Sequence, residues 1–165
     1  MALDGTCYYG VDESGFEEMI IVACRSKDSA AIEERTKLPK RRNGRIQFDL
    51  YNFKFTILTR NGGDFSIERL YAIGNLLANY KLTNNDIICV DAFGSLRETY
   101  RDTLHEVLMK DHNIFIPKNN VIFKQKADSQ IPLVNDADKI AYQLFRCKRD
   151  HGEEFKQLEQ IYKIV

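Results

Sequence analysis

The chain has no net charge, because its 24 basic and 24 acidic residues cancel over 165 positions. Without a global field, attraction to a polyanion must come from local basic patches aided by bound cations. There is no C-x-x-C pair: Cys7, Cys24, Cys89 and Cys147 are widely spaced, three of them inside apolar runs. They read as small buried hydrophobes in a reducing compartment, not as a structural zinc site. No apolar run reaches the ~18 residues of a membrane span, and the N-terminus lacks a signal peptide's basic and apolar regions. A soluble, cytoplasmic protein is expected. Internal repeats, Pro/Ser-rich linkers and low-complexity tracts are absent too. That leaves one domain over residues 1–165, with 44% hydrophobic residues to fill its core. His105, His112 and His151 lack metal-ligand spacing, and His105 falls near a buried helical stripe as a structural residue does. Ser14 has no His/Asp partner pattern, and no glycine-rich phosphate loop is present.

What the chain does contain is an apolar strand ending in carboxylates, twice. Tyr9-Gly10-Val11 runs into Asp12-Glu13, then Ser14-Gly15, and Met19-Ile20-Ile21-Val22-Ala23 follows as a second apolar run. Ile87-Ile88-Cys89-Val90 runs into Asp91. Charge at the rim of a buried sheet is expensive unless a cation offsets it, so the repetition points to a metal site.

The remaining elements follow from periodicity and turn chemistry. Residues Thr6–Val11 and Glu18–Arg25 form a hairpin, followed by a charged, partly helical excursion from Ser29 to Lys37. Asn52–Thr59 alternates as a third strand, ended by Asn61-Gly62-Gly63. A helix spans about Ser66 to Tyr80, with Ile67, Leu70, Tyr71, Ile73, Leu77 and Tyr80 as its apolar stripe. Strand Asp86–Val90 precedes a helix from Leu96, with Ser95 and Glu98 as a capping box and Leu96, Tyr100, Leu104, Val107 and Leu108 inward. A further strand falls at Ile114–Ile116, Val121–Phe123 or both. Helices over Asp136–Arg149, with Ile140, Ala141, Leu144 and Phe145 inward, and Glu153–Tyr162 close the chain. The order β-β-β-α-β-α-β-α calls for an α/β mixed five-stranded sheet, an antiparallel meander then parallel strands, flanked by helices. It is similar to the ribonuclease H-like order, in which the first and fourth strands lie side by side. Asp12 and Asp91, 79 residues apart, then meet at one sheet edge.

Two-metal phosphoryl chemistry needs carboxylates that bridge divalent cations ~3.5–4 Å apart. Hard ions such as Mg²⁺ take oxygen ligands and keep waters for the reaction. Asp12, Glu13 and Asp91 supply three ligands, and a fourth comes from Asp128 or Asp138. The bland alternatives stay open. Asp136 and Asp138 also suit the first turn of a helix, where the dipole favours acids, and Asp12-Glu13 also suits a turn cap.

Three segments resemble the type 2 ribonuclease H family, especially its archaeal-type members. Gly10-Val11-Asp12-Glu13-Ser14-Gly15 resembles that family's G-I-D-E-A-G opening, and Ile88-Cys89-Val90-Asp91-Ala92 its strand ending V-D-A. Lys126-Ala127-Asp128-Ser129-Gln130-Ile131-Pro132-Leu133-Val134 is similar to K-A-D-x-x-Y-P-V-V; Ile140-Ala141 falls where I-A-K follows, and Arg149-Asp150 where R-D does. The resemblance implies Asp12, Glu13, Asp91 and Asp128 as catalytic, metal-binding acids holding Mg²⁺ or Mn²⁺. It also implies an endonuclease acting on RNA in an RNA–DNA hybrid or a ribonucleotide-containing duplex, leaving a 5′-phosphate and a 3′-hydroxyl. The chain departs from the pattern at Gly15-Phe16-Glu17-Glu18, where the family has G-R-G, and it stops at Val165, short of the family's C-terminal extension. Tyr162 is the nearest counterpart of that extension's substrate-stacking tyrosine. A second likeness, to uncharacterised ribonuclease H-like proteins with an Asp-Glu-Ser-Gly start and a late A-D-x-I-A helix, rests on Ala137-Asp138-Lys139-Ile140-Ala141. It implies Asp138 as an acid of the site, as in DNA-directed resolvases and transposases.

On the substrate side, Lys37 to Arg45 holds five basic residues in nine, among them Lys40, Arg41, Arg42 and Arg45. This run reads either as a solvated loop or as a phosphate contact, with nuclear targeting a weaker alternative. Lys118, Lys124 and Lys126 form a second patch, and Lys139 either joins it or pairs with Asp136 or Asp138. The readings are a metal-dependent nuclease on a hybrid, a DNA-directed nuclease or resolvase, or a silent nucleic-acid-binding module. A protein partner supplying further substrate binding fits the first two.

Overall fold

The computed structural model describes residues 5–39, 45–60, 65–93 and 97–164. Five strands, β1 (Tyr8–Ser14), β2 (Glu18–Ser26), β3 (Phe53–Thr59), β4 (Ile87–Asp91) and β5 (Val121–Lys124), form one sheet in the order β3-β2-β1-β4-β5. β2 is antiparallel to β1 and β3, whereas β4 lies parallel to both β1 and β5. Four helices flank it: α1 (Phe65–Ala78), α2 (Arg97–His112), α3 (Pro132–Asp150) and α4 (Gly152–Tyr162). This is the α/β mixed sheet that the order of elements predicts.

The central strand shows why both faces are covered. Tyr9 and Val11 pack into one core with Leu70, Ile73 and Leu77 of α1 and Leu104 and Leu108 of α2. Tyr8, facing the other way, packs with Ile140, Ala141 and Leu144 of α3 and Phe155 of α4. Side chains alternate across a strand, so a run buried on both sides must be apolar at nearly every position. The open edge of β3 is shielded near Phe55, whose carbonyl accepts a bond from the Ile164 N–H at 3.0 Å.

Several boundaries differ from expectation. β1 continues through Ser14, so Asp12 and Glu13 lie inside the strand and not beyond it. The 29–37 excursion holds only one short 3-10 turn, Ser29–Ile32, built on Asp28. In α1, Leu70, Ile73 and Leu77 of the expected stripe are buried, whereas Ile67 and Tyr71 are exposed and Leu76 is buried in addition. Only Val121–Lys124 of the two proposed late segments is a strand. The Asn61-Gly62-Gly63 terminator and the Ser95–Leu96 cap lie outside the described residues.

The most consequential difference is in α3, which starts at Pro132 and not near Asp136. Proline suits the first helical position, where its missing N–H costs nothing and its φ is already helical. Asp136 and Asp138 therefore sit past the first turn, which holds no acid. The helix-dipole explanation for them is overturned, because that effect fades beyond the first turn.

Candidate metal centre

The site is built where the parallel pairing of β1 with β4 ends. Their parallel register pairs Val11 with Val90, so Asp12 and Asp91 are the next residues along neighbouring strands. Both sit at the carboxyl ends of parallel strands, where open α/β sheets form their binding crevices.

Helix α3 reaches the same place because Gly10 lets it. A Cβ on Gly10 would stand 2.5 Å from the Leu133 carbonyl carbon and 2.7 Å from the Val134 nitrogen. Only a residue without a side chain lets the helix start rest on the strand. From that contact, helix and strand advance together. Two strand residues rise about 6.6 Å and four helical residues about 6 Å, so Asp138 comes level with Asp12. Further on, a Cβ on Gly15 would lie 3.3 Å from a Phe145 ring carbon. Asp12 shares the Gly10 face of β1, so its carboxylate points at α3.

Asp128 arrives on a third element. A 3-10 turn over Ala127–Ser129 follows β5 and is entered through Lys126 in the left-handed region, φ 58°. Several bonds anchor it to the frame, among them one from the Leu38 N–H to the Ser129 carbonyl at 2.7 Å. The Ala127 N–H donates to Asp91 Oδ1 at 3.1 Å. The Asn135 side-chain amide donates to the Asp128 carbonyl at 2.7 Å and the Pro39 carbonyl at 2.8 Å.

The result is that Asp12, Asp128 and Asp138 each offer a carboxylate oxygen, all within 4.8 Å of one another. Asp12 and Asp138 are almost fully buried, at 3% and 1% exposure. Asp91 and Glu13 flank this triad closely enough for their charges to be felt. Burial, then the charges of Glu13, Asp91 and Asp138, push the Asp12 carboxyl well above its usual range, against the Glu13 N–H bond that favours the anion. Burial, then Asp128 and Glu13, raise Asp91 to about 7, opposed by the Ala127 N–H. Sequence left Asp128 and Asp138 as alternatives; the structure brings both beside Asp12.

Glu13 behaves differently from its neighbour. Successive strand residues face opposite sides, so Glu13 turns toward α1, and the Arg69 guanidinium stands 3.5 Å from its Oε1. Asp136 also leaves the cluster: its charge acts on Cys24 and Tyr51, on the far side of α3's buried stripe. Burial raises its carboxyl while Lys139 lowers it.

The basic candidates are placed less centrally. Lys40, Arg41 and Arg42 lie outside the described residues. Arg45 pairs with Glu154 of α4 at 2.6 Å, beyond the far end of α3 from Asp138. Lys126 is exposed two residues from Asp128, Lys124 pairs with Glu34, and Lys118 lies 3.9 Å from Asp102. His105 Nε2 is bonded to the Ile116 carbonyl at 2.8 Å, a structural role. Tyr162 stacks on Phe53 with centroids 4.2 Å apart, so it is part of the core. All four cysteines are buried free thiols.

Sequence reasoning missed Asn135, Arg69 and the Ala127 N–H. Only Asn135 carried a readable sign, a polar amide on the helix face that Val134 and Ala137 share with the core.

Three separate carboxylates converging with hard oxygen donors fit a divalent cation such as Mg²⁺ or Mn²⁺. Asp12, Asp128 and Asp138 would hold it, with Asp91 and Glu13 beside them. Among the described residues, no helix is long and apolar enough to cross a membrane. Compared with known proteins, the chain matches no family model and no curated sequence.

Proposed function

We propose that this protein is a divalent-metal-dependent nuclease built on a ribonuclease H-like sheet. One observation carries the reading: three carboxylates from a strand, a post-strand turn and a helix lie within 4.8 Å of one another. The sheet order β3-β2-β1-β4-β5, with the acids at the end of the β1/β4 pair, supports the fold. Burial of Asp12 and Asp138 supports the chemistry, because uncompensated buried carboxylates destabilise a fold that gains nothing from them.

When bound, Mg²⁺ or Mn²⁺ supplies Lewis-acid stabilisation of the phosphorus oxygens and a water acidic enough to attack. The protein's own part is positioning. Asp12 and Asp138 are fixed by strand and helix packing, Asp128 by Asn135, and Asp91 by the Ala127 N–H. In hydrolysis the water oxygen bonds to phosphorus, the P–O3′ bond breaks, and the departing 3′-oxygen takes a proton. The products are a 5′-phosphate and a 3′-hydroxyl. Lys126, exposed two residues from Asp128, is suited to meet a phosphate; the charge of Lys139 acts on Asp136.

The first substrate is the RNA strand of an RNA–DNA hybrid. End-labelled hybrid, single-ribonucleotide duplex, single-stranded RNA, duplex DNA and a four-way junction are each incubated with Mg²⁺ or Mn²⁺. Cleavage abolished by EDTA and by Asp12→Asn is expected. Folded protein that binds Mn²⁺ yet cuts none of these would sink the nuclease reading.

A further inference from the structure

Beside the carboxylates runs a ladder of alternating rings and guanidinium groups. The Arg60 Cζ lies 4.9 Å from the Phe16 ring centroid and 5.2 Å from that of Phe65. The Arg69 Cζ lies 5.3 Å from Phe65 and 4.1 Å from Phe93. Arg69 also stands 3.5 Å from Glu13, so the ladder runs along the α1 side of the strand that carries Asp12. The outer end is Phe16, which is 68% exposed. It occupies the β1–β2 turn, four residues beyond Asp12. Phe16 also lines a groove with Glu17, Glu18, Ile20, Phe145, Lys148 and Arg149, in which Glu18 is paired with Lys148 and Arg149 with Asp150.

Core packing accounts for Phe65 and Phe93, which are partly buried against the α1/α2 core. It does not account for Phe16. A ring left two-thirds in water forgoes most of its burial energy, and one guanidinium at an exposed site returns only a small part of it. Arg60 itself is exposed and has no carboxylate partner among the described residues. A flat apolar face beside a guanidinium that pairs with no carboxylate among the described residues suits a base that stacks, attached to a phosphate that pairs. Bases inside a duplex are already stacked and offer only their edges, so along a strand Phe16 can take only an unpaired one.

We propose that Phe16, backed by Arg60, stacks on an unpaired nucleotide next to the phosphate presented to the carboxylates. The preferred ligand is therefore a nucleic acid with a single-stranded segment at the site, so that an RNA–DNA hybrid is taken best where one strand runs on unpaired. This inference rests on the nuclease reading for its substrate class, but its test does not depend on turnover.

Fluorescence anisotropy of labelled oligonucleotides, DNA and RNA, each single-stranded and as the blunt duplex, measures binding in Ca²⁺. A gel checks that the strands stay intact. Wild-type protein should bind the single strands about tenfold or more tighter than the duplexes. Phe16→Ala should remove most of that preference, at the ~1–3 kcal/mol per base that such stacking carries. Phe16→Tyr should keep it. Arg60→Gln should weaken strand and duplex alike and reduce the log–log salt slope by about one. Lys156→Ala, on the exposed side of α4, is the control. Both Phe16 and Arg60 are exposed, so neither variant threatens folding. An unchanged affinity in Phe16→Ala, or tighter binding of blunt duplex, overturns the inference even if metal-dependent cleavage is intact. Phe16-dependent strand binding in a protein that cuts nothing upholds it while removing the nuclease reading.

Discussion

Gly10 and Leu133 meet backbone to backbone, with a Gly10 Cβ position only 2.6 Å from the Leu133 carbonyl oxygen. The contact sets how far α3 has advanced when it passes Asp12, and so sets the Asp12–Asp138 approach. Gly10→Ala has no room, because the obstacle is helix backbone and not a side chain that can swing aside. Overpacking of this kind costs about 1–3 kcal/mol or more. Denaturant unfolding should report a loss in that range, and the Mn²⁺-induced rise in melting temperature should shrink with it. A variant that keeps both would mean that the helix is not seated by this contact.

Asp138 and Asp136, two residues apart on α3, should respond unequally to the same change. Asp138→Asn removes one of three converging ligands, so the Mn²⁺-induced rise in melting temperature should largely disappear and cleavage should fall by about 100-fold or more. Asp136→Asn lies outside the cluster and should leave both readouts near wild type. Isothermal calorimetry with Mn²⁺ checks the ranking. Equal loss in the two variants would place the ion elsewhere.

The metal-free protein should lose stability as pH rises from about 4 to about 7. Asp91 titrates near 7 in the fold against about 3.9 in an unfolded chain, and Asp12 is shifted the same way. Across that window the folded state holds more protons than the unfolded state, so each step up in pH favours unfolding. Below the window both states are protonated and the term is constant. Melting temperatures in EDTA should therefore decline toward neutrality, and excess Mg²⁺ or Mn²⁺ at pH 7.5 should reverse the decline. A flat profile in EDTA would show that the acids do not share charge as their spacing requires.

Much of the frame was legible in the chain. Apolar runs ending in acids located β1 and β4, and the alternation of Phe53, Phe55 and Ile57 located β3. The start of α3 was misjudged because Asn135, Asp136 and Asp138 look like capping residues. Pro132, a first-position proline, was the better signal. Continuation of β1 through Ser14 was hidden because two carboxylates are poor strand formers; what holds them there is pairing of Asp12, Glu13 and Ser14 with Val22, Ile21 and Ile20 of β2. The choice between Asp128 and Asp138 could not be read from spacing at all. It depends on how closely a helix rides a strand, and on an amide 7 residues from Asp128 that ties the turn down.

That amide gives the last test. Asn135 is 3% exposed, and its side chain bridges the Pro39 and Asp128 carbonyls. It touches no carboxylate of the cluster, so it is a positioning residue. Asn135→Ala takes a donor from two part-buried carbonyls, and each hydrogen bond lost costs about 0.5–1.5 kcal/mol. The turn bearing Asp128 is then held by the Ala127 N–H on Asp91 and by the Leu38 and Arg35 N–H groups on the Ser129 and Gln130 carbonyls. Denaturation should show the destabilisation. If the role were only structural, Mn²⁺ affinity measured well below the melting transition would not move. Positioning predicts a clear weakening there, with Asn135→Asp unable to rescue it because a carboxylate cannot donate to either carbonyl. Unchanged Mn²⁺ affinity in folded Asn135→Ala would separate the turn's anchoring from the metal site.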